Sequence, residues 1–160
     1  MIANKTMEAE LLKERPEEWR ALARESITRA EELAKHLNIN VEEVKAVARV
    51  YPMRISKYFL SLIENENDAI WKQCVPDARE LEDSVGVADP LFEEKDSPVE
   101  GLTHRYPDRV LLLVSNDCAN YCRFCTRKRR VGKPFRKITR EQIAECISYI
   151  REHSEIRDFL

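Results

Sequence analysis

A short apolar run, Arg109-Val-Leu-Leu-Leu-Val-Ser115, leads directly into three cysteines spaced C-x3-C-x2-C at Cys118, Cys122 and Cys125. So short and continuous an apolar run reads as a strand buried on both faces, of the kind found in parallel sheets. The thiols then stand in the loop at that strand's C-terminal end, where α/β barrels place their chemistry. Downstream, Thr139 and Gln142 match the signature of a capped helix start, and Ile143, Ile147 and Ile150 give that helix one apolar stripe. Ile156-Arg-Asp-Phe-Leu160 reads as the opening of a second strand. Strand, loop, helix and strand in that order make a βαβ unit, which demands parallel pairing. A complete eight-unit barrel takes about 250 residues. The expectation is therefore an α/β chain that stops partway through a (β/α) barrel.

Upstream the period is different. After Pro16, residues Trp19, Leu22, Ala23, Ile27, Ala30, Leu33, Ala34 and Leu37 recur at three- and four-residue intervals and predict one long helix. Asn40 with Glu43 predicts a capped second helix that ends before Pro52. Ser56 caps a predicted third helix with Tyr58, Phe59, Leu62 and Ile63, and Ile70 and Trp71 mark a fourth. Trp19 and Trp71 read as core anchors. Pro76, Gly86, Pro90, Pro98 and Gly101 then break all periodicity. The expected division is a helical domain over 1–75, an acidic linker or ordered strap over 76–103, and the start of the barrel over 104–160.

The net charge of −2 conceals an asymmetry. Between Asp77 and Glu100 there are nine acids against Arg79 and Lys95, and from His104 to Arg140 eleven Lys and Arg against Asp108 and Asp117. Charge divided in this way points to different partners for different segments. No stretch reaches the roughly 20 apolar residues of a membrane span. The N-terminus has no apolar core of a signal peptide. A cytoplasmic protein without a membrane partner is expected.

Five cysteines, three of them within eight residues, favour a metal or redox site over a disulfide scaffold. Thiolates select zinc, copper or iron–sulfur clusters. Structural zinc takes four protein ligands, yet Cys74, Cys146 and His104 lie outside the local cluster. A [4Fe–4S] cluster normally takes four cysteines, so three leave one iron open to a small molecule. Cys74 and Cys146 sit among apolar residues and read as buried structural thiols. The alternative is a zinc module that follows a nucleic-acid backbone with Arg123 to Arg140, Tyr121, Phe124 and Phe135. The overall charge and the missing fourth ligand count against it.

The segments Tyr51-Pro-Met-Arg-Ile-Ser56, Asp96-Ser-Pro-Val99, His104-Arg-Tyr-Pro-Asp-Arg-Val-Leu111 and Tyr121-Cys-Arg-Phe-Cys-Thr-Arg-Lys-Arg129 together resemble the lysine 2,3-aminomutase family of radical S-adenosylmethionine enzymes. The resemblance runs from about Val50 to Leu160. It implies a [4Fe–4S] cluster on Cys118, Cys122 and Cys125, with S-adenosyl-L-methionine beside Tyr121 and Phe124. It implies pyridoxal 5′-phosphate beside Arg105, Tyr106 and Arg109, held by a lysine beyond this chain, and the substrate carboxylate on Arg127. Phe124 stands where many members carry histidine, and keeps an aromatic face. The implied reaction is reductive cleavage of S-adenosylmethionine to a 5′-deoxyadenosyl radical, removal of a β-hydrogen, and migration of the amino group from the α- to the β-carbon. Implied partners are a small amino acid, an electron donor such as a flavodoxin or ferredoxin, and further copies of the chain, with no nucleic acid. Lysine is the first substrate to consider, then arginine or glutamate. Blander readings stand beside these: Arg105 and Arg109 pairing with the acidic segment, Tyr106 packing, and a fragment or inactive paralogue that acts by interaction.

Overall fold

The computed structural model describes residues 18–132 and 138–160. The readings placed on Pro16, on Phe135 and on the side chain of Trp19 fall outside what is described. The chain divides into two compact units, one reaching to Leu81 and including Ala119–Arg123, the other comprising Glu82–Cys118 and Phe124–Leu160.

The first unit is helical: α1 (Glu18–Arg24), α2 (Ala30–Leu33), α3 (Val41–Val50), α4 (Lys57–Ser61) and α5 (Ala69–Cys74), then a 3-10 turn at Ala78–Leu81. The single long helix expected through Leu37 is interrupted. Ile27 leaves the helix and exchanges backbone hydrogen bonds with Ile55, at 2.8 and 2.9 Å. Both side chains are fully buried. Ile27 and Thr28 are β-branched and favour extended backbone, and the pair satisfies the backbone N–H and C=O of both Ile27 and Ile55 as well as a helix would. Three helix starts here are capped, two at the expected Asn40 and Ser56 and one at Asp68, which was not foreseen. Asn40 accepts from the Glu43 N–H at 3.3 Å, Ser56 from Phe59 at 3.2 Å, and Asp68 from Trp71 at 2.7 Å. Each fills a donor that the first helical turn leaves unpaired. Glu43 does not turn back on Asn40; its carboxylate accepts from the Ala78 N–H at 3.3 Å and ties α3 to the 3-10 turn.

Ile27, Leu33, Val44, Met53, Ile55 and Cys74 form this unit's core, with Phe59 and Trp71 packed on it. The Cys74 thiol donates to the Ile70 carbonyl at 3.1 Å. Burial pushes its pKa up to about 12, the charges of Cys122 and Asp68 adding to the rise and Arg123 opposing it. Cys74 is thus a protonated core group.

The second unit holds β1 (Leu102–Tyr106), β2 (Arg109–Leu112), α6 (Arg140–Glu152) and β3 (Asp158–Phe159). The expected parallel pair is present, with Arg109 opposite Asp158 and Val110 opposite Phe159. One strand was not foreseen. β1 pairs antiparallel with β2, Leu102 opposite Leu112 and Tyr106 opposite Arg109, because Pro107-Asp108 makes a tight turn. The result is a mixed sheet in the order β1-β2-β3, and an α/β chain.

β2 is less buried than a strand covered on both faces. Val110 is buried, but Val114 beyond its end is 59% exposed. α6 covers one face, setting Cys146, Tyr149 and Ile150 against Leu102, Val110 and Leu112. The apolar stripe of α6 is accordingly rotated from the isoleucine row, and Ile147 is exposed. The capping box closes in both directions: Thr139 Oγ1 accepts from the Gln142 N–H at 3.1 Å, and Gln142 Oε1 from the Thr139 N–H at 2.9 Å.

Residues 82–101 carry turns in place of helices and strands, yet Glu93 is only 5% exposed. It accepts from Arg127 Nε at 2.9 Å and Nη2 at 2.6 Å. Arg129 lies 2.9 Å from Asp89 and 3.1 Å from Glu94. The two halves of the charge asymmetry are therefore each other's partners here, where separate partners were expected.

Two outcomes follow from the caps. Thr139→Ala is expected to lower unfolding stability by about 1 kcal/mol, measured as a shift of the urea midpoint at unchanged slope. The Asp68 carboxyl is held below the ordinary aspartate value of about 3.9 by the N–H groups of Trp71, Glu64 and Asn65. A depressed folded pKa adds stability that is complete above the unfolded value and lost as pH falls through the folded one. Asp68→Asn is expected to flatten the loss of stability between about pH 5 and pH 3, read from urea midpoints across that range.

Candidate metal centre

The segment Ala119–Arg123 is held by residues far from it in sequence. The Tyr121 N–H donates to the Arg54 carbonyl at 2.9 Å, and Asn120 Oδ1 accepts from the Ser56 N–H at 3.0 Å. The Arg54 guanidinium lies over the Tyr121 ring, 5.7 Å from its centre. Pro52 forbids continuation of α3, so Tyr51–Ser56 runs extended and offers its backbone groups outward. That is what the Tyr51-Pro-Met-Arg-Ile-Ser56 segment does in this fold: it docks the cysteine loop.

Arg123, between two of the clustered cysteines, is the strongest of these anchors. Its side chain is 6% exposed and grips Glu80 with two bonds, at 2.9 and 2.7 Å. It also donates to the carbonyls of Pro52 and Tyr51 at 3.0 and 3.2 Å. A buried charge is tolerated only when it is paired and hydrogen-bonded in this way. Its backbone N–H donates to the Gln73 carbonyl at 2.8 Å.

None of the five cysteines is in a disulfide. Cys118 is exposed and Cys122 and Cys125 are half-buried, whereas Cys74 and Cys146 are buried. Burial raises the Cys146 pKa, with the charge of Glu145 adding to it. Cys122 Sγ accepts from Gln73 Nε2 at 3.3 Å, and Cys125 Sγ from the Arg127 N–H at 3.4 Å. The thiolate is the form that ligates metal, and it can only accept bonds of this kind. Asn120 Nδ2, in the same loop, is buried without a hydrogen-bond partner among the described residues.

Among the described residues no three His, Cys, Asp or Glu side chains are gathered into a metal-binding group. The donor set nonetheless fits an iron–sulfur cluster. Three soft thiols outside the core are free of disulfides, two of them accept from N–H groups, and the two other cysteines are spent in apolar packing. A closed zinc site would need a fourth ligand.

The other predicted residues fall in two places. Phe124 follows Arg123 and is 70% exposed. Arg105, Tyr106 and Arg109 stand at the β1–β2 turn, at the N-terminal end of β2, while Cys118 follows its C-terminal end. Tyr106 is 57% exposed, so it does not serve core packing. The Arg109 guanidinium lies over its ring, 5.6 Å from the centre, and pairs with the adjacent Asp108 at 3.0 Å. Arg105 donates to the Leu91 carbonyl at 2.8 Å. Neither arginine is held by a carboxylate of the acidic segment. Arg127 is, through Glu93. The carboxylates of Glu80, Glu93 and Asp89 take up the charges of Arg123, Arg127 and Arg129, which runs against a backbone-tracking basic surface.

Sequence reasoning missed Gln73, Glu80 and the structural role of Arg123. It also left His104 and His153 uninterpreted. His104 Nδ1 lies 2.8 Å from the Tyr149 hydroxyl, and the Tyr149 and His153 rings stack at 3.9 Å. Only Arg123 carried a signal, its place inside the cysteine motif. No helix among the described residues is long and apolar enough to cross a membrane.

No family model matches the chain. Curated proteins do. The L-lysine 2,3-aminomutase of Clostridium subterminale is 44% identical over 149 residues, which is 89% of this chain and 36% of that protein. The L-lysine 2,3-aminomutase of Bacillus subtilis is 40% identical over 163 residues, 96% of this chain and 35% of that protein. The glutamate 2,3-aminomutase of Clostridioides difficile is 40% identical over 139 residues, 84% of this chain and 33% of that protein. The chain thus spans about a third of the length of the curated relatives it matches. With identity of this order along most of its length, the chain belongs to the lysine 2,3-aminomutase family.

Proposed function

We propose that the chain carries the cluster-binding portion of a radical S-adenosylmethionine 2,3-aminomutase, with Cys118, Cys122 and Cys125 as the ligands of a [4Fe–4S] cluster. The observation that carries this is the loop itself: three thiols outside the core, spaced C-x3-C-x2-C after β2, in a chain whose relatives are aminomutases. In such an enzyme the cluster with S-adenosyl-L-methionine would supply a carbon radical, and pyridoxal 5′-phosphate would hold the migrating amino group. The chain's own residues bind and orient. Phe124 offers an exposed aromatic face for the adenine, with Tyr121 beside it in the loop. Arg105 and Arg109 suit the geometry of a phosphate, and Tyr106 adds a ring against it. Arg127 takes the carboxylate of the substrate amino acid while Glu93 holds its guanidinium from the strap.

The β2–α6–β3 unit is, on this reading, the first of a (β/α) barrel. Lysine is the first substrate to test, because relatives of that name match the chain at up to 45% identity. Glutamate is the second, supported by the relative from Clostridioides difficile, and arginine the third. A one-electron donor of the flavodoxin or ferredoxin class, and association between copies, complete the proposal.

Anaerobic iron and sulfide analysis with visible absorbance tests it. The expected result is a brown protein with about four irons per chain, as a cubane cluster requires, a colourless Cys122→Ala, and a changed spectrum of the reduced cluster on adding S-adenosylmethionine. A colourless wild type that retains one zinc would sink the proposal.

A further inference from the structure

Gln73 is the last residue but one of α5 and lies 49 positions from Cys122, yet it holds the cysteine loop at two consecutive residues. Its side-chain Nε2 donates to Cys122 Sγ at 3.3 Å, and its backbone carbonyl accepts from the Arg123 N–H at 2.8 Å. Arg123 is itself fixed by Glu80 and by the carbonyls of Tyr51 and Pro52. The amide is therefore presented to the sulfur by a helix end whose backbone is already bonded to the next residue, and it has little freedom to turn away. The contact at Cys125 is of another kind: a backbone N–H two residues away, supplied by the local turn whatever side chains surround it. Gln73 is a side-chain choice made elsewhere in the chain.

A sulfur bound to iron has no proton, so it can only accept. The amide must then face it with Nε2, as it does. Hydrogen bonds to cluster sulfurs are among the factors that set reduction potential. The physical reason is charge: one added electron increases the negative charge on the thiolates, and an N–H donor stabilises the more negative state more. We infer that Gln73 tunes the reduction potential of the cluster held by Cys122, raising it through this N–H···S bond. The inference rests on the cluster proposed above, but concerns a residue that ligates nothing. It is a positioning and tuning residue, acting through Cys122. The electron in question comes from the chemical reductant of the titration, and no bond at Cys122 forms or breaks.

The test is an anaerobic redox titration, followed by electron paramagnetic resonance, of the whole chain loaded with iron and sulfide. Four forms are compared: wild type, Gln73→Leu, Gln73→Glu and Gln73→Lys. In all of them the backbone carbonyl of residue 73 remains, so the bond to the Arg123 N–H is common to the set. Leu removes the donor, Glu keeps the shape and replaces the donor with a negative charge, and Lys restores N–H donors with a positive charge. At a fixed solution potential the ratio of reduced to oxidised cluster is expected to fall about tenfold in Gln73→Leu, which is 59 mV for one electron. It falls further in Gln73→Glu and returns to or above wild type in Gln73→Lys. Circular dichroism of the four proteins checks that α5 is intact. Equal potentials in all four would overturn the inference, as would loss of iron in all three variants alike, since Gln73 would then only build the loop. A wild type that assembles no four-iron cluster would overturn the cluster reading itself, which separates the two failures.

Discussion

Arg123 carries a full charge at 6% exposure, and the arrangement of the first unit follows from that. Water cannot solvate it, so protein groups must, and they come from three places: Glu80 in the 3-10 turn, and the carbonyls of Tyr51 and Pro52 where α3 ends. Withdrawing one partner from a buried pair of this kind costs about 3–5 kcal/mol. The cost fixes more than a salt bridge. The end of α3 must leave its carbonyls unpaired by helix, which Pro52 ensures. The 3-10 turn must face the loop, which the Glu43–Ala78 bond secures from α3. Cys122 is covalently next to the buried arginine and so inherits its position. The proposed metal ligand is thus held by its neighbour's electrostatics before any metal is considered.

In the second unit the same economy appears in a looser form. The acidic segment has no periodic pattern from which to build helix or strand, and it is ordered by charge instead. Glu93 is buried because Arg127 and Arg129 both reach it, at 2.6 and 3.5 Å. Surface ion pairs are individually weak, but a carboxylate removed from water and shared by two guanidiniums is not in that class. The pairing also orients Arg127, whose guanidinium is held along its Nε–Nη2 edge by Glu93.

What the sequence made legible was local. Asn40, Ser56 and Thr139 start helices by bonding an N–H three residues on, and such bonds depend on nothing beyond the segment itself. The parallel β2–β3 pair was legible from the order of elements. The failures have one cause: two answers with the same local pattern, decided by a distant residue. Ile27 satisfies helical spacing as well as Leu22 does, and only Ile55 pulls it out. β1 lay hidden in His104-Arg-Tyr-Pro-Asp-Arg109, where Arg105, Tyr106 and Arg109 were read as cofactor-binding and the proline turn that pairs the strands went unused. The stripe on α6 shifted to Cys146, Tyr149 and Ile150 because Leu102 and Val110 face that side. At the site, cysteines announce themselves by spacing, whereas Gln73 and Glu80 are ordinary residues whose value lies in where they end up.

The bonds that hold Ala119–Arg123 join residues 43 to 72 positions apart in the chain. Contacts of such separation are entropically expensive to close early, and they slow folding when both ends are unstructured. Here the ends are not equivalent in time. Synthesis proceeds from the N-terminus, and early segments fold as they emerge. The surface offered by Tyr51–Ser56, Gln73 and Glu80 is complete some forty residues before Cys122 is added. Ala119–Arg123 is thus received by a template that already exists, which spares the Cys122 thiol a long interval in an unfolded and oxidisable state.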